Sequence, residues 1–147
     1  MIKWLFGGGV SARLNPIMAV KVHGIRFMIR KLNPLDYLTG AKALHQIYDT
    51  YKRAGKSLSD GFEEKDVAKI KSHYRDTFMA GVVSMRCAGV ELLPTRSEKV
   101  DHGDAKIPVD HFMTDWDLAE ELYQAIVVFT YGKKKMRAIL RSQKTAS

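Results

Sequence analysis

The stretch Val20-Lys21-Val22-His23-Gly24-Ile25-Arg26-Phe27-Met28-Ile29-Arg30 decides the fold. Apolar side chains alternate with basic ones, and a period of two is the signature of a strand with one buried face. The alternation slips at His23-Gly24: Val20 and Val22 are even, whereas Ile25, Phe27 and Ile29 are odd. A tight turn or a bulge belongs at that slip, so the segment predicts a small hairpin or a kinked strand.

Immediately downstream, Asn33-Pro34-Leu35-Asp36 opens a helix. Asn33 can accept backbone N–H bonds as the N-cap, Pro34 suits the first helical position, and Asp36 favours the positive end of the helix dipole. Tyr37, Ala41, Leu44, Tyr48 and Tyr51 follow at helical spacing, and Leu38 and Ile47 widen that face. Gly55 supplies a left-handed stop, so the helix should run from about Pro34 to Ala54.

After a polar connection, Val67, Ile70, Tyr74, Phe78, Val82 and Met85 fall on one helical stripe and predict a second helix. Lys65, Lys69, Lys71, Arg75 and Asp76 take its outer positions. From Cys87 to Lys106 the periodicity vanishes among Gly89, Pro94 and Gly103, which reads as a long surface loop. Pro108 to Met113 reads as one short turn. Thr114-Asp115-Trp116-Asp117 then resembles a capping box with Asp in place of the usual Glu. The third helix carries Trp116, Leu118, Leu122, Tyr123, Ile126, Val127 and Thr130 on its apolar face, and Gly132 is placed to end it. Met136, Ile139 and Leu140 hint at a further basic amphipathic turn, formed on binding.

The expected architecture is therefore α+β and mostly α, an N-terminal β element followed by three principal helices and a basic C-terminal tail. Residues 1–17 read as a flexible N-terminal extension, residues 18–132 as one domain and residues 133–147 as the tail. The 147 residues, 46% of them hydrophobic and 27% charged, suffice for one core and not for two. No apolar run approaches the roughly 20 residues of a membrane span, and the short apolar start before Gly7-Gly8-Gly9 is not expected to export the chain. A single cysteine, Cys87, forbids an intramolecular disulfide and fits a reducing compartment; a buried or half-buried thiol is expected there.

The net charge of +8 is unevenly placed. Residues 1–31 carry six cations and no acid, residues 132–147 another six and no acid, and the section between them has 12 cations against all 16 acids. Nucleic-acid surfaces interleave cations with stacking aromatics. That interleaving is missing here, so the basic ends read as solvated extensions that steer association.

Three chemistries can be tested on spacing. Gly55-Lys56-Ser57 matches only the end of a phosphate-binding loop: Thr50 stands where the first glycine is required, and a helix rather than a strand precedes it. Asp101, His102, Asp104, Asp110 and His111 match no closed metal motif. Cys87 has no local histidine to activate it. His23, His45 and His73 sit singly on expected elements and read as surface or boundary residues. No catalytic constellation, metal or cofactor is expected, which favours a binding or assembly protein.

Three stretches together carry a resemblance. They are Val22-His23-Gly24-Ile25-Arg26-Phe27-Met28-Ile29-Arg30-Lys31-Leu32-Asn33-Pro34-Leu35-Asp36; His73-Tyr74-Arg75-Asp76 with Ala80-Gly81-Val82-Val83; and Asp115-Trp116-Asp117-Leu118-Ala119-Glu120-Glu121-Leu122-Tyr123-Gln124-Ala125-Ile126 ahead of Tyr131-Gly132-Lys133-Lys134-Lys135. In this pattern the chain, over roughly residues 20–135, resembles the tail assembly chaperones of long-tailed bacteriophages.

The resemblance implies a non-enzymatic chaperone of the host cytoplasm, absent from the mature virion. It would bind the tape measure protein and help recruit tail-tube subunits, with self-association left open. Candidate contacts for a helical client are Phe27 and Ile29 on the strand and Trp116, Leu122, Tyr123 and Ile126 on the last helix, residues whose spacing equally suits ordinary core. The basic tail, Lys133, Lys134, Lys135, Arg137 and Arg141, would form part of a charged rim. In that family the gene often carries a programmed frameshift near its end, and Gly132-Lys133-Lys134-Lys135 is compatible with a slippery run of G and A bases. Two other readings remain, a structural neck or tail-completion component of the virion and a small nucleic-acid-binding regulator.

Overall fold

The alternating stretch folds as a hairpin. Strands β1 (Ile17–Val22) and β2 (Ile25–Arg30) pair antiparallel, with Val22 opposite Ile25. Both turn residues have positive φ, 49° at His23 and 79° at Gly24, the conformation that a two-residue turn needs to match the twist of its strands. The parity slip in the sequence is therefore the turn itself. The computed structural model describes residues 16–56, 61–101 and 103–132. Most of the expected N-terminal extension, the whole basic tail and the turn around Met136, Ile139 and Leu140 lie outside them.

Helix α1 (Pro34–Arg53) begins where the capping residues place it: the Asn33 side chain accepts from the Leu35 N–H at 3.1 Å. Gly55 follows its end with φ 73°. Helix α2 (Glu64–Gly81) is shorter than its apolar stripe suggested, because Val82 and Met85 belong to a strand, β3 (Val82–Cys87). The β2–β3 ladder explains the misreading. Ile29 pairs with Val82, Met28 with Ser84 and Phe27 with Met85, so Val83 is an extra, unpaired residue. That bulge puts Val82 and Met85, three residues apart, on the same face of a strand, which imitates helical spacing.

The expected loop from Cys87 to Lys106 is also corrected. Ala88-Gly89, with φ 51° and 77°, makes a second two-residue turn into β4 (Val90–Thr95). Strand β5 (Lys106–Pro108) then pairs with β4 in parallel, and the described residues between them, 96–101 and 103–105, are irregular. Pro94 obscured the strand in the sequence, and it is tolerated because β4 meets its short parallel partner there near the sheet's end. Cys87, expected to be at least half buried, is exposed beside this turn.

The sheet order is β1-β2-β3-β4-β5, and with three helices the described fold is a mixed α and β one, richer in strand than a single β element. A 3-10 helix (Val109–Met113) leads into α3 (Trp116–Tyr131). The N-cap of α3 is Asp115, one residue later than the capping-box reading, accepting from the Leu118 N–H at 3.3 Å. Thr114 instead donates its hydroxyl to the His111 carbonyl.

Helices α2 and α3 pack on one face of the sheet, α2 over β2, β3 and β4, and α3 over β1 and β2. Between the layers Phe112 meets Phe27 edge-on at 5.5 Å and Phe78 at 5.9 Å, and Phe27 and Phe78 are wholly buried. Helix α2 ends in Gly81, where a Cβ would lie 2.7 Å from the Ile126 side chain, so the close approach of α2 to α3 requires glycine. Arg30 donates to the Ala80 carbonyl at 2.7 Å, giving that helix end the cation its own last turn lacks.

Truncation of the central ring should be costly. Phe27→Ala is expected to lower unfolding stability by about 3–5 kcal/mol, whereas Lys21→Ala, exposed on the edge strand, should change it by less than about 0.5 kcal/mol; urea titration of both variants checks the contrast.

Candidate partner-binding site

The six apolar residues singled out as client contacts do not form a surface. Phe27, Ile29, Leu122 and Ile126 have no exposure at all and Tyr123 only 5%, because the helical layer itself covers them. Trp116 alone is partly exposed. It ends a stack of three rings in which Tyr123 lies 4.4 Å from Tyr74 and Tyr74 4.8 Å from Trp116, while its Nε1 donates to Glu120 at 2.7 Å. In the folded chain these residues bind the protein's own elements. Lys133, Lys134, Lys135, Arg137 and Arg141 lie outside the described residues.

Of the exposed large apolar side chains, Ile17, Met18, Val90 and Leu93 lie on strands β1 and β4, and Leu35 and Leu38 lie on α1, the helix that touches no strand extensively and packs on α2. Its start is held to the end of α3: the Leu32 N–H donates to the Thr130 hydroxyl at 3.0 Å and Tyr131 to the Pro34 carbonyl at 3.4 Å. Tyr37 faces inward and shares a hydrogen bond with Tyr123 at 2.7 Å, and His73 Nε2 lies 2.9 Å from the same Tyr123 oxygen. Further along, Gly40 allows the helices to approach so closely that a Cβ would overlap the His73 imidazole.

With Tyr37 turned in, Leu35 and Leu38 turn out, 76% and 51% exposed. Leu38 was expected to widen the buried face and instead lies beyond its edge. A shallow hollow of about 250 Å³ lies between α1 and α2, lined by Gly40, Ala43, Leu44, Ile47, His73 and Asp76 among others, and neither Leu35 nor Leu38 lines it. It is smaller than the roughly 300–1,000 Å³ of small-molecule sites, and its form is a seam along two helices.

The electrostatics of the network point to fastening. Burial raises the pKa of Tyr123 far above that of a free phenol, and it raises Tyr74 likewise, the reverse of what a base or nucleophile needs. Burial lowers His73 below its usual 6.5, so the imidazole is neutral near pH 7. A neutral ring that accepts at Nε2 from Tyr123 lets Tyr123 accept from Tyr37, so one arrangement of protons serves both bonds. His73, read as a surface or boundary residue, thus joins all three helices. His23 at the hairpin tip lies 3.8 Å from Asp115 and 3.7 Å from Glu121 at the start of α3. Asp110, one of the candidate metal ligands, is held by Arg75 through two bonds of 2.6 and 3.1 Å. Among the described residues no three His, Cys, Asp or Glu side chains cluster as a metal site, and no helix is long and apolar enough to cross a membrane.

The depressed His73 pKa has a definite sign in stability. The unfolded chain takes up the proton first, so the stability present above the usual 6.5 is lost as pH falls through the folded pKa. His73→Gln should reduce the loss in urea midpoint between about pH 7.5 and about pH 5 relative to the parent chain; an identical pH dependence in both proteins would contradict the assignment.

Comparison of the chain with protein-family models, with curated proteins and with solved structures finds no match.

Proposed function

We propose that the protein is a non-enzymatic tail assembly chaperone of a long-tailed bacteriophage, working in the host cytoplasm on the tape measure protein and the tail-tube subunits. The observation that carries this reading is the ridge of Leu35 and Leu38 on an outer helix whose inner face is already engaged. Large apolar side chains at i and i+3 on an exposed helix face offer a ridge that the apolar stripe of a helical client can cover.

The stretches that resemble the chaperone family also support it. The first runs through β2 into the cap of α1, the second supplies His73 and Tyr74 on α2, and the third supplies Trp116 and Tyr123 on α3. The second and third meet where His73 Nε2 lies 2.9 Å from the Tyr123 oxygen, and the third meets the first where Tyr131 donates to the Pro34 carbonyl. A pattern spread over the sequence thus coincides with one mechanical unit.

Co-expression with the tape measure protein of the same genome tests the proposal. The two should co-purify, and Leu35→Asp with Leu38→Asp should weaken capture by at least about tenfold, given roughly 1.5–3 kcal/mol for each leucine buried on docking, with the melting temperature unchanged. Mass spectrometry of purified particles should not find the protein. Its presence in stoichiometric amount would establish a virion component instead.

A further inference from the structure

The sheet has a second face, turned away from the helices, and strand register lines up charges across it. Lys21 stands opposite Arg26, Arg26 opposite Arg86, and Arg86 opposite Glu91. Three cations therefore occupy neighbouring positions on three adjacent strands, separated by roughly 5 Å from strand to strand. Like charges directly opposite one another are destabilising. Among the described residues no carboxylate lies within ion-pair distance of Lys21, Arg26 or Arg86. Glu91, the acid at the end of the row, accepts the Ser84 hydroxyl at 2.8 Å.

Between the charges lie Met28, partly buried, and the buried Ser84. Arg26, Met28, Ser84, Arg86 and Glu91 enclose a hollow of about 230 Å³. Leu93, two residues beyond Glu91 and hence on the same face, is 50% exposed. Three of the six cations that composition assigned to a solvated N-terminal end, Lys21, Arg26 and Arg30, are thus built into strands.

We infer that this face docks an acidic, amphipathic segment of a protein partner, its carboxylates over Lys21, Arg26 and Arg86 and its apolar side chains on Met28 and Leu93. Two guanidiniums in the row can each hold a carboxylate through paired hydrogen bonds, and the partner's charge relieves the repulsion that the free sheet tolerates. A single-stranded nucleic acid fits less well, since sheets that bind one stack its bases on aromatic rings. The strands' one aromatic, Phe27, points to the opposite face. The inference is independent of the chaperone reading, which concerns α1.

Fluorescence anisotropy on the full chain tests it, with a labelled peptide of roughly 20 residues built from Glu, Leu and Ala, beside an oligothymidylate of equal length and label. The peptide should bind at about 50 mM salt and at least tenfold more weakly at about 300 mM. Arg26→Glu should weaken peptide binding at least about tenfold yet raise the urea midpoint, because the row Lys21, residue 26, Arg86, Glu91 then alternates in sign. Arg86→Gln should weaken binding several-fold, while Lys71→Glu, the same charge change as Arg26→Glu at an exposed position of α2, should stay within about twofold. Equal loss in Arg26→Glu and Lys71→Glu, tighter binding of the oligonucleotide, or no peptide binding at low salt would overturn the assignment.

Discussion

The sheet is covered on one side. Phe27, Ile29, Val82 and Met85 project from β2 and β3 toward α2 and α3, and Phe112 closes the layer against Phe27 and Phe78. An antiparallel sheet can leave its other face in water, whereas the apolar face must be roofed completely. Two helices suffice for the roof, and the consequences run outward from that. Gly81 lets α2 reach α3, and the chain turns from helix to strand with no intervening loop. Helix α1 is left over from the core.

A leftover helix must be fastened by other means. Only Leu44 on α1 is buried among its large apolar residues, and Tyr37, Ile47 and Tyr48 are partly so. The deficit is made up by specific polar contacts: Asn33 at its cap, Pro34 against Tyr131, and the chain of hydroxyls from Tyr37 through Tyr123 to His73. Such a network fixes orientation as well as position, because each partner has few donors and acceptors to offer. Orientation is what matters for the surface, since a rotation that exposed Tyr37 would turn Leu35 and Leu38 inward. The functional proposal and the stability of α1 therefore depend on the same few atoms.

Where local chemistry and tertiary structure agree, the sequence was readable. The slip at His23-Gly24 marks the hairpin turn, whose two residues have positive φ, Asn33-Pro34 marks the start of α1, and Gly132 the end of α3. Reading failed where one pattern has two geometric solutions. The spacing of Phe78, Val82 and Met85 satisfies a helix, and it equally satisfies a helix that ends at Gly81 followed by a bulged strand. The choice is made by Ile29, which pairs with Val82 from 53 positions upstream, and no local window contains both residues.

Functional residues were harder to read for a related reason. An apolar stripe states that a face is buried, without stating by what, and Phe27, Ile29, Leu122 and Ile126 turn out to be buried by one another's elements. Only the leftover says what remains for a partner: Leu35 and Leu38 face away from the stripe already claimed by Tyr37 and Leu44. The cation row is more remote still. Arg26 and Arg86 are 60 positions apart and become neighbours through ladder register, and a one-residue slip would send the two arginines to opposite faces. The bulge at Val83 that disguised the strand thus also sets which charges share the outer face, so the feature that defeated the local reading is the one that assembles the surface.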